Sequence, residues 1–199
     1  MDIKNSKFMA DCSQNERGKE AILNFQISWI LRCSADPDIY KSHPILYKKC
    51  REMLFTLLNF DNSLNSNNID VLEVKVWKEW NDIDVLAKIK LSINGNQPEM
   101  HVLLVENKIY TELKPWQKDD YPKKVKDKIK NVKHCQLHQV VISCLEPNNI
   151  KYHDLQTFCE GTEWRVLNYE DLVNWKTDEL TESDLFNEFW YATWDPIKE

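Results

Sequence analysis

The sequence predicts a mixed α/β domain in which helices cover a central sheet. Helical patterns come first, alternating strands around a hairpin turn follow, and helices and short apolar runs make up the second half. Of the 199 residues, 42% are hydrophobic, which is enough for one buried core. We therefore expect a single domain over residues 1–199, with its core at about 16–175 and an acidic helical segment at 176–199.

The first two helices are predicted from apolar residues at helical spacing. One spans about Glu16 to Cys33 and should end near Pro37, because proline cannot continue a helix. The second is expected from about Ile45 to Asn59. An inward-facing stripe marks the first helix as a central one; it contains Glu20, Leu23, Asn24, Ile27 and Leu31.

A three-stranded β region follows. Val71–Lys78 and Ile83–Ile93 alternate between apolar and polar residues, with a turn at Asn81-Asp82 between them. Asn94-Gly95-Asn96 is a strong hairpin signal, and His101–Tyr110 is the returning strand. On the first strand the expected apolar face contains Leu72, Val74 and Val76, with Glu73 and Lys75 opposite.

The second half of the chain predicts further elements. A helix from about Pro115 to Val132 should break or restart near Pro122. Short apolar runs predict strands, and the C-terminal part reads as helical, with Thr181 able to cap the last helix. These strands are Val140–Leu145 and Trp164–Leu167, and these helices are Tyr169–Trp175 and Thr181–Trp194.

Composition restricts the compartment and the partners. No apolar run suits a secretory signal or a membrane span, so we expect a soluble, cytoplasmic protein with no membrane partner. The six cysteines are spread along the chain, which favours free, mostly buried thiols in a reducing compartment.

The net charge of −6 opposes binding of nucleic acid through bulk charge, but the charges are segregated. Eight lysines and three aspartates lie between Lys114 and Lys133, whereas twelve acids and three bases lie between Asp154 and Glu199. The basic segment is either a solvated helix face or a phosphate-binding surface.

The hairpin brings three charged residues together. If the turn centres on Gly95, residues whose numbers add to about 190 lie opposite each other, as Asp84 and Glu106 do. Glu106 and Lys108 share a face because strand side chains alternate. Two adjacent carboxylates repel each other unless a cation joins them, and their hard oxygens suit Mg²⁺. The alternative is a surface ladder of ion pairs.

These residues resemble a known family. Asp84 followed by Glu106-Asn107-Lys108 at the end of an apolar strand resembles the PD-(D/E)XK nuclease superfamily. Gln117 and Tyr121 on the next helix resemble the branch of that superfamily with a Gln-x-x-x-Tyr element. The stretch from Ile27 to Pro37, with His43 beyond it, resembles the leading helix of the same branch.

The resemblance implies a restriction-endonuclease-like core and a metal-dependent nuclease. Asp84 and Glu106, with the Asn107 carbonyl, would bind Mg²⁺ or Mn²⁺, and Lys108 would be the catalytic lysine. Gln117 would orient Lys108 or a phosphate, Tyr121 would contact the substrate backbone, and Glu20 would be a further catalytic glutamate. The expected substrate is DNA rather than RNA, in a defence or repair system.

Several alternatives remain open at this point. Asp82 could replace Asp84 as a ligand, since it nominally shares its face. The chain could instead be an inactive binding or assembly subunit with the same fold. A zinc site among His134, Cys135 and His138, with Cys144, His153 or Cys159, matches no standard spacing.

Two surfaces are expected to contact partners. The phosphate contacts on the basic segment should include Lys123, Lys124, Lys126, Lys128 and Lys130. The C-terminal helix carries Leu185, Phe186, Phe189 and Trp190, which either pack against the core or form a partner surface, including a homodimer seam.

Overall fold

The computed structural model of the protein describes residues 16–60, 68–109, 111–173 and 179–192. Six α-helices and five strands lie in these ranges. The helices are α1 (Glu16–Cys33), α2 (Pro37–Ser42), α3 (Pro44–Leu57), α4 (Pro115–Ile129), α5 (Ile150–Cys159) and α6 (Asp184–Trp190). The strands are β1 (Ile69–Trp80), β2 (Ile83–Ile93), β3 (Glu99–Lys108), β4 (Cys135–Ser143) and β5 (Trp164–Asn168).

One mixed sheet has the strand order β1-β2-β3-β4-β5. The pairs β1–β2 and β2–β3 are antiparallel, as short hairpin connections require. The pairs β3–β4 and β4–β5 are parallel, with α4 and α5 as their crossovers. The C-terminal end of β3 therefore lies beside that of β4, and the start of α4 follows β3 closely.

Helices cover both faces of the sheet and divide the core in two. The first face packs on α1, α3 and α6, and its cluster includes Leu23, Leu54, Val85, Leu103 and Trp190. The second face packs on α4 and α5, and its cluster includes Leu86, Leu104, Tyr121, Val141 and Leu155. The predicted mixed α/β class, with a central sheet between helices, is thus confirmed.

The predicted face of β1 is wrong at its start. A β-bulge between Val71 and Glu73 shifts the register against β2, so that Val71 shares the buried side with Val74 and Val76. Leu72 is left 51% exposed. An extra residue at a bulge reverses the alternation that a simple period of two assumes.

The predicted helix boundaries also need correction. Pro37 ends α1 but also begins α2, because Asp36 caps the new helix by accepting hydrogen bonds from the amides of Asp38 (2.8 Å) and Ile39 (3.3 Å). Helix α5 was not predicted. The predicted helix at Tyr169–Trp175 is a short 3₁₀ turn at Tyr169–Asp171, and residues 174–178 lie outside the described ranges.

Helix α4 runs through Pro122 without the predicted break. Proline removes the amide that would bond to the Lys118 carbonyl. The indole nitrogen of Trp164 donates to that carbonyl instead, at 2.9 Å. The Trp164 side chain from β5 thus supplies the hydrogen-bond donor that Pro122 lacks, so the helix continues.

The C-terminal helix packs against the core. Phe186, Phe189 and Trp190 are fully buried on the first face, so they are unavailable as the centre of an interface between chains. Ser183, rather than Thr181, caps the helix by accepting from the Phe186 amide at 3.2 Å. The predicted extension to Trp194 passes beyond the described residues.

Two further findings concern the whole described chain. None of its helices is long and apolar enough to cross a membrane. The cysteines at 33, 50, 135 and 159 are free, and Cys33, Cys50 and Cys159 are buried.

Candidate active site

The β2–β3 hairpin places Asp84 beside Glu106. Val85 pairs with Val105 and Leu86 with Leu104, which confirms the register predicted from a turn centred on Gly95. Asp84 and Glu106 are the next residues in that register. The Asp84 amide donates to Glu106 Oε1 at 3.4 Å, and the negative charge of Asp84 acts on Glu106, so the two acids lie side by side where the strands end.

Lys108 lies on the same side of β3 as Glu106. Its Nζ is 3.3 Å from Glu106 Oε2, and both residues are buried, with 7% and 1% of their surfaces exposed. Gln117 at the start of α4 donates from Nε2 to the same oxygen at 3.2 Å. The predicted trio of Asp84, Glu106 and Lys108 therefore converges on one site, and Gln117 positions the glutamate rather than the lysine.

The electrostatics of Glu106 are unusual for a carboxylate. Burial raises its pKa to about 8, and the nearby negative charge of Asp84 adds to the increase. The charge and hydrogen bond of Lys108 act in the opposite direction but do not cancel it. Without a bound cation, Glu106 is therefore mostly protonated at neutral pH. A strongly shifted carboxyl beside a second acid is typical of functional sites.

A buried amide network holds Asp84 from the other side. Asn24 on α1 donates from Nδ2 to Asp84 Oδ1 at 3.1 Å and accepts from Asn107 Nδ2 at 2.5 Å. The Asn107 amide donates to Asp84 Oδ2 at 2.8 Å. Asn24 was not among the predicted site residues. The signal was available, because an asparagine on the inward stripe of a central helix needs buried partners.

Gln117 and Tyr121 have structural tasks in α4. Gln117 Oε1 accepts from the Lys114 amide at 3.0 Å, which caps the helix while its Nε2 holds Glu106. Tyr121 is fully buried, and its hydroxyl donates to the Asp82 carbonyl at 2.8 Å. Tyr121 thus has no exposed surface for the predicted contact with a substrate backbone. It ties α4 to the turn before Asp84.

Asp82 lies in the turn that precedes Asp84. Asn81 and Asp82 form the turn between β1 and β2, with φ angles of 51° and 69°. The side chain of Asp82 is exposed, whereas that of Asp84 is half-buried at the start of β2. Asp84, rather than Asp82, is the acid that the described hydrogen bonds hold beside Glu106.

Glu20 lies near the site but does not join the two acids. It is half-buried, and its Oε1 accepts a hydrogen bond from Thr111 Oγ1, just beyond the end of β3, at 3.0 Å. Among the described residues, no group of three or more His, Cys, Asp or Glu side chains could hold a metal. This applies to the zinc alternative as well, and His138 is instead paired with His101, Nε2 to Nδ1, at 2.9 Å.

The five predicted phosphate-binding lysines are all exposed on or just after α4. Two are near acids: Lys126 is 2.7 Å from Glu163, and Lys123 is 3.7 Å from Asp120. Lys124 Nζ lies over the Tyr121 ring at 5.2 Å from its centre. Since a helix rises about 1.5 Å per residue, the distance from Gln117 grows from about 9 Å at Lys123 to about 20 Å at Lys130.

The donor set fits one hydrated divalent cation. Asp84 and Glu106 provide four carboxylate oxygens; Glu106 Oε2 has two protein donors, and the other three oxygens have one each, so lone pairs remain for a metal. Asn107 Oδ1 is buried without a hydrogen-bond partner among the described residues. Mg²⁺ is often bound by one or two carboxylates and keeps its other waters, so a third acid is not required.

Comparison with protein-family models identifies a superfamily for the chain. The family model described as the PD-(D/E)XK nuclease superfamily matches residues 2–190. Neither the search of curated proteins nor the search of solved structures gave a significant match. The mixed five-stranded sheet with helices on both faces is consistent with the restriction-endonuclease-like fold. Because the match spans nearly the whole sequence, the chain belongs to the PD-(D/E)XK nuclease superfamily.

Proposed function

We propose that the protein is a Mg²⁺- or Mn²⁺-dependent nuclease that hydrolyses phosphodiester bonds in nucleic acid, with DNA preferred over RNA. The observation that carries the proposal is the meeting of Asp84, Glu106 and Lys108 at the ends of β2 and β3, in a chain of a nuclease superfamily. Defence against foreign DNA or repair of DNA would suit such an activity.

Asp84, Glu106 and the Asn107 carbonyl are the proposed metal ligands. When bound, the cation polarises the scissile phosphate and lowers the pKa of a water molecule. Asn24 fixes the Asp84 carboxylate and Gln117 fixes that of Glu106, so both acids are oriented before any ligand arrives. With Lys108, the trio has a net charge of −1 when all three are ionised, which attracts a dication.

Lys108 is the proposed catalytic lysine. Its ammonium lies beside Glu106 Oε2, at the edge of the same small site. There its neutral amine form would accept a proton from the attacking water, or its ammonium form would stabilise the negative charge that develops on the phosphoryl oxygens. Its burial favours this task, because charges interact more strongly away from bulk water.

Glu20 and the α4 lysines are proposed in supporting roles. Glu20 lies close enough to the end of β3, through Thr111, to act as an additional catalytic acid if substrate binding draws it inward. Lys123, Lys124, Lys126, Lys128 and Lys130 are proposed phosphate contacts because all five are exposed near the site.

The second candidate is a subunit that binds nucleic acid without cutting it. The observations that favour it are the contact of Lys108 Nζ with Glu106 Oε2 and the Glu106 pKa near 8, since a neighbouring ammonium and a tightly held proton both oppose metal binding. The two candidates differ in metal affinity, because a non-cutting relative has no need to retain a cation.

The deciding experiment measures cutting and metal binding together. Linear, circular and single-stranded DNA, and RNA, are incubated with the protein in Mg²⁺, in Mn²⁺ and in chelator. The proposal expects metal-dependent cleavage that is lost in Glu106→Gln, with Mn²⁺ binding measured by calorimetry reduced in the same variant. Absence of cleavage and of measurable Mn²⁺ binding in the unmodified protein would favour the second candidate.

A further inference from the structure

The second face of the β1–β2 hairpin carries an exposed basic and aromatic patch that the proposed function does not use. It consists of Lys75, Trp77, Lys88 and Lys90. Trp77 is 43% exposed, and the side chain of Lys75 is 57% exposed. Lys88 is half-buried and Lys90 exposed. We call these four residues the hairpin patch.

Strand register places these side chains together. Trp77 lies opposite Leu86, Lys75 lies opposite Lys88, and Glu73 lies opposite Lys90. Residues directly opposite each other in an antiparallel pair share a face. The four side chains therefore project from the same side of the hairpin. Helices α4 and α5 pack over the central strands on this side and leave Trp77 exposed.

The charge arrangement of the patch is unfavourable without a partner. Lys75 and Lys88 are directly opposite, and like charges in such a pair destabilise a sheet. Glu73 is the one acid in the cross-strand set, and its carboxylate is bound to Lys75 at 2.6 Å. Three lysines therefore face one acid, which leaves a local positive charge on a chain whose net charge is −6.

The patch continues from the candidate active site along β2. Leu86, Lys88 and Lys90 alternate along β2 and so point to one face, starting two residues after Asp84. At about 3.3 Å per residue, Lys88 is about 13 Å and Lys90 about 20 Å from Asp84 along the strand. Trp77, beside Leu86, lies between the acids and the lysines. A chain molecule that leaves the site along β2 would meet the indole ring first.

We propose that the hairpin patch binds a single-stranded segment of nucleic acid next to the site of cleavage. The lysines match the negative phosphates, and the exposed indole offers a flat surface on which an unpaired base can stack. The bases of a duplex are already stacked on one another, so they cannot use that surface. The position relative to the cut rests on the proposed function, whereas binding to the patch does not.

The experiment measures binding without cleavage. Fluorescence anisotropy follows labelled oligodeoxythymidylate, the matching RNA and a DNA duplex, all in chelator with the full-length protein. Trp77→Ala removes the stacking surface, and Lys88→Gln/Lys90→Gln removes two charges. Their matched controls are Tyr40→Ala, an aromatic residue that is 60% exposed on α2, and Lys41→Gln/Lys48→Gln on α2 and α3. Thermal unfolding of each variant verifies that it folds.

We expect Trp77→Ala to weaken single-stranded binding roughly tenfold and duplex binding much less. Lys88→Gln/Lys90→Gln should reduce the slope of log affinity against log salt for a single strand by about 1.4. Equal weakening of the duplex, or equal effects of the controls, would overturn the proposal. Equal affinity for the DNA and RNA oligonucleotides would define the ligand as single-stranded nucleic acid of either kind. A difference in affinity would show whether the patch prefers deoxyribose or ribose.

The two proposals fail in different ways. If the protein cuts nucleic acid in Mn²⁺ but the hairpin variants bind as the unmodified protein does, the patch is wrong and the nuclease stands. If the variants lose single-stranded binding in chelator but no substrate is cut in either metal, the patch stands and the nuclease is wrong. If Trp77→Ala does not fold, the single-stranded binding of Lys88→Gln/Lys90→Gln decides whether the patch proposal stands.

Discussion

Under the proposed function, Lys108 is the residue whose replacement should separate metal binding from chemistry. Lys108→Ala should lower the single-turnover cleavage rate by about 10²–10³, because its charge matters most when the phosphoryl oxygens become more negative. Affinity for Mn²⁺ should not fall, since the two carboxylates remain and an opposing ammonium is removed. Quench-flow cleavage and calorimetry measure the two quantities.

The control for this prediction is Lys41→Ala, which removes an exposed lysine on α2. It should cut as fast as the unmodified protein. Lys108→Ala cutting at that same rate would show that Lys108 is not the catalytic lysine.

Asn24 has a different expected effect, because it acts through Asp84. Asn24→Ala removes the donor to Asp84 Oδ1 and the acceptor of Asn107 Nδ2, both largely buried. We expect a loss of about 1–3 kcal/mol in unfolding free energy and a fall of about 10–100-fold in Mn²⁺ affinity. Urea unfolding and calorimetry measure these changes.

Ser28→Ala is the matched control for Asn24→Ala. Ser28 is a buried polar residue one turn further along α1, and its hydroxyl is bound to Arg32 rather than to Asp84. The control should lose stability but keep its metal affinity. A fall in metal affinity of equal size in both variants would assign Asn24 to the fold alone.

At the scale of elements, α4 connects the site to the basic surface. Its first turn holds Glu106 through Gln117, while its exposed side carries lysines. Lys124 and Lys128 are one turn apart and have no ion pair among the described contacts, so their charges are less compensated than those of Lys123 and Lys126. They are the members of the basic segment best suited to phosphates.

Lys124→Glu/Lys128→Glu should therefore weaken duplex DNA binding at least about tenfold and reduce the salt slope by about 2. Anisotropy in chelator over a salt series measures both quantities, and circular dichroism verifies the fold. Lys41→Glu/Lys48→Glu makes the same change of charge on α2 and α3. If the two double variants bind equally, the nucleic acid does not lie along α4.

The elements that the sequence predicted well are those with strong local signals. The Asn94-Gly95-Asn96 turn predicted the register of β2 and β3 correctly, and through it the meeting of Asp84 and Glu106. Helix α5 was not predicted because it is only ten residues long, although its buried residues Tyr152, Leu155 and Cys159 recur at helical spacing. The break expected at Pro122 is absent because the compensating group, the Trp164 indole, comes from a distant part of the chain.

Individual contacts were harder to predict than positions. Strand alternation predicted that Lys108 shares a face with Glu106, but only the packing of α1 against the strand ends shows that Asn24 reaches Asp84. Tyr121 had the right spacing in α4 for a substrate contact, yet its hydroxyl is used by the Asp82 carbonyl. The hydrogen-bond partner of each side chain depends on which distant groups lie near it in the fold, and the local sequence does not contain that information.

At the scale of the whole molecule, burial shifts the pKa values of two side chains in opposite directions. Burial keeps the pKa of Glu106 at about 8 on one side of β3, and it lowers the pKa of His138, beside His101, to about 4. The ordinary values of these two groups are 4.5 and 6.5. Compared with the unfolded chain, the folded protein thus binds the proton of Glu106 more tightly and that of His138 more weakly.

These shifts predict how the stability of the metal-free protein depends on pH. Glu106 has a raised pKa, so its contribution is fully present below pH 4.5 and is lost as pH rises through about 8. His138 has a lowered pKa, so its contribution is present above pH 6.5 and is lost as pH falls towards 4. The two groups together favour a stability maximum between pH 4.5 and 6.5.

Urea unfolding in chelator at a series of pH values tests this expectation. The unfolding free energy should fall between pH 6.5 and 8 in the unmodified protein. Glu106→Gln should flatten that fall, because the amide cannot lose a proton, and should be the more stable protein at pH 8. Mn²⁺ should also reverse the fall in the unmodified protein, since a cation favours the ionised carboxylate, but not in the variant. An alkaline fall that persists unchanged in Glu106→Gln would mean that the shifted group is not Glu106.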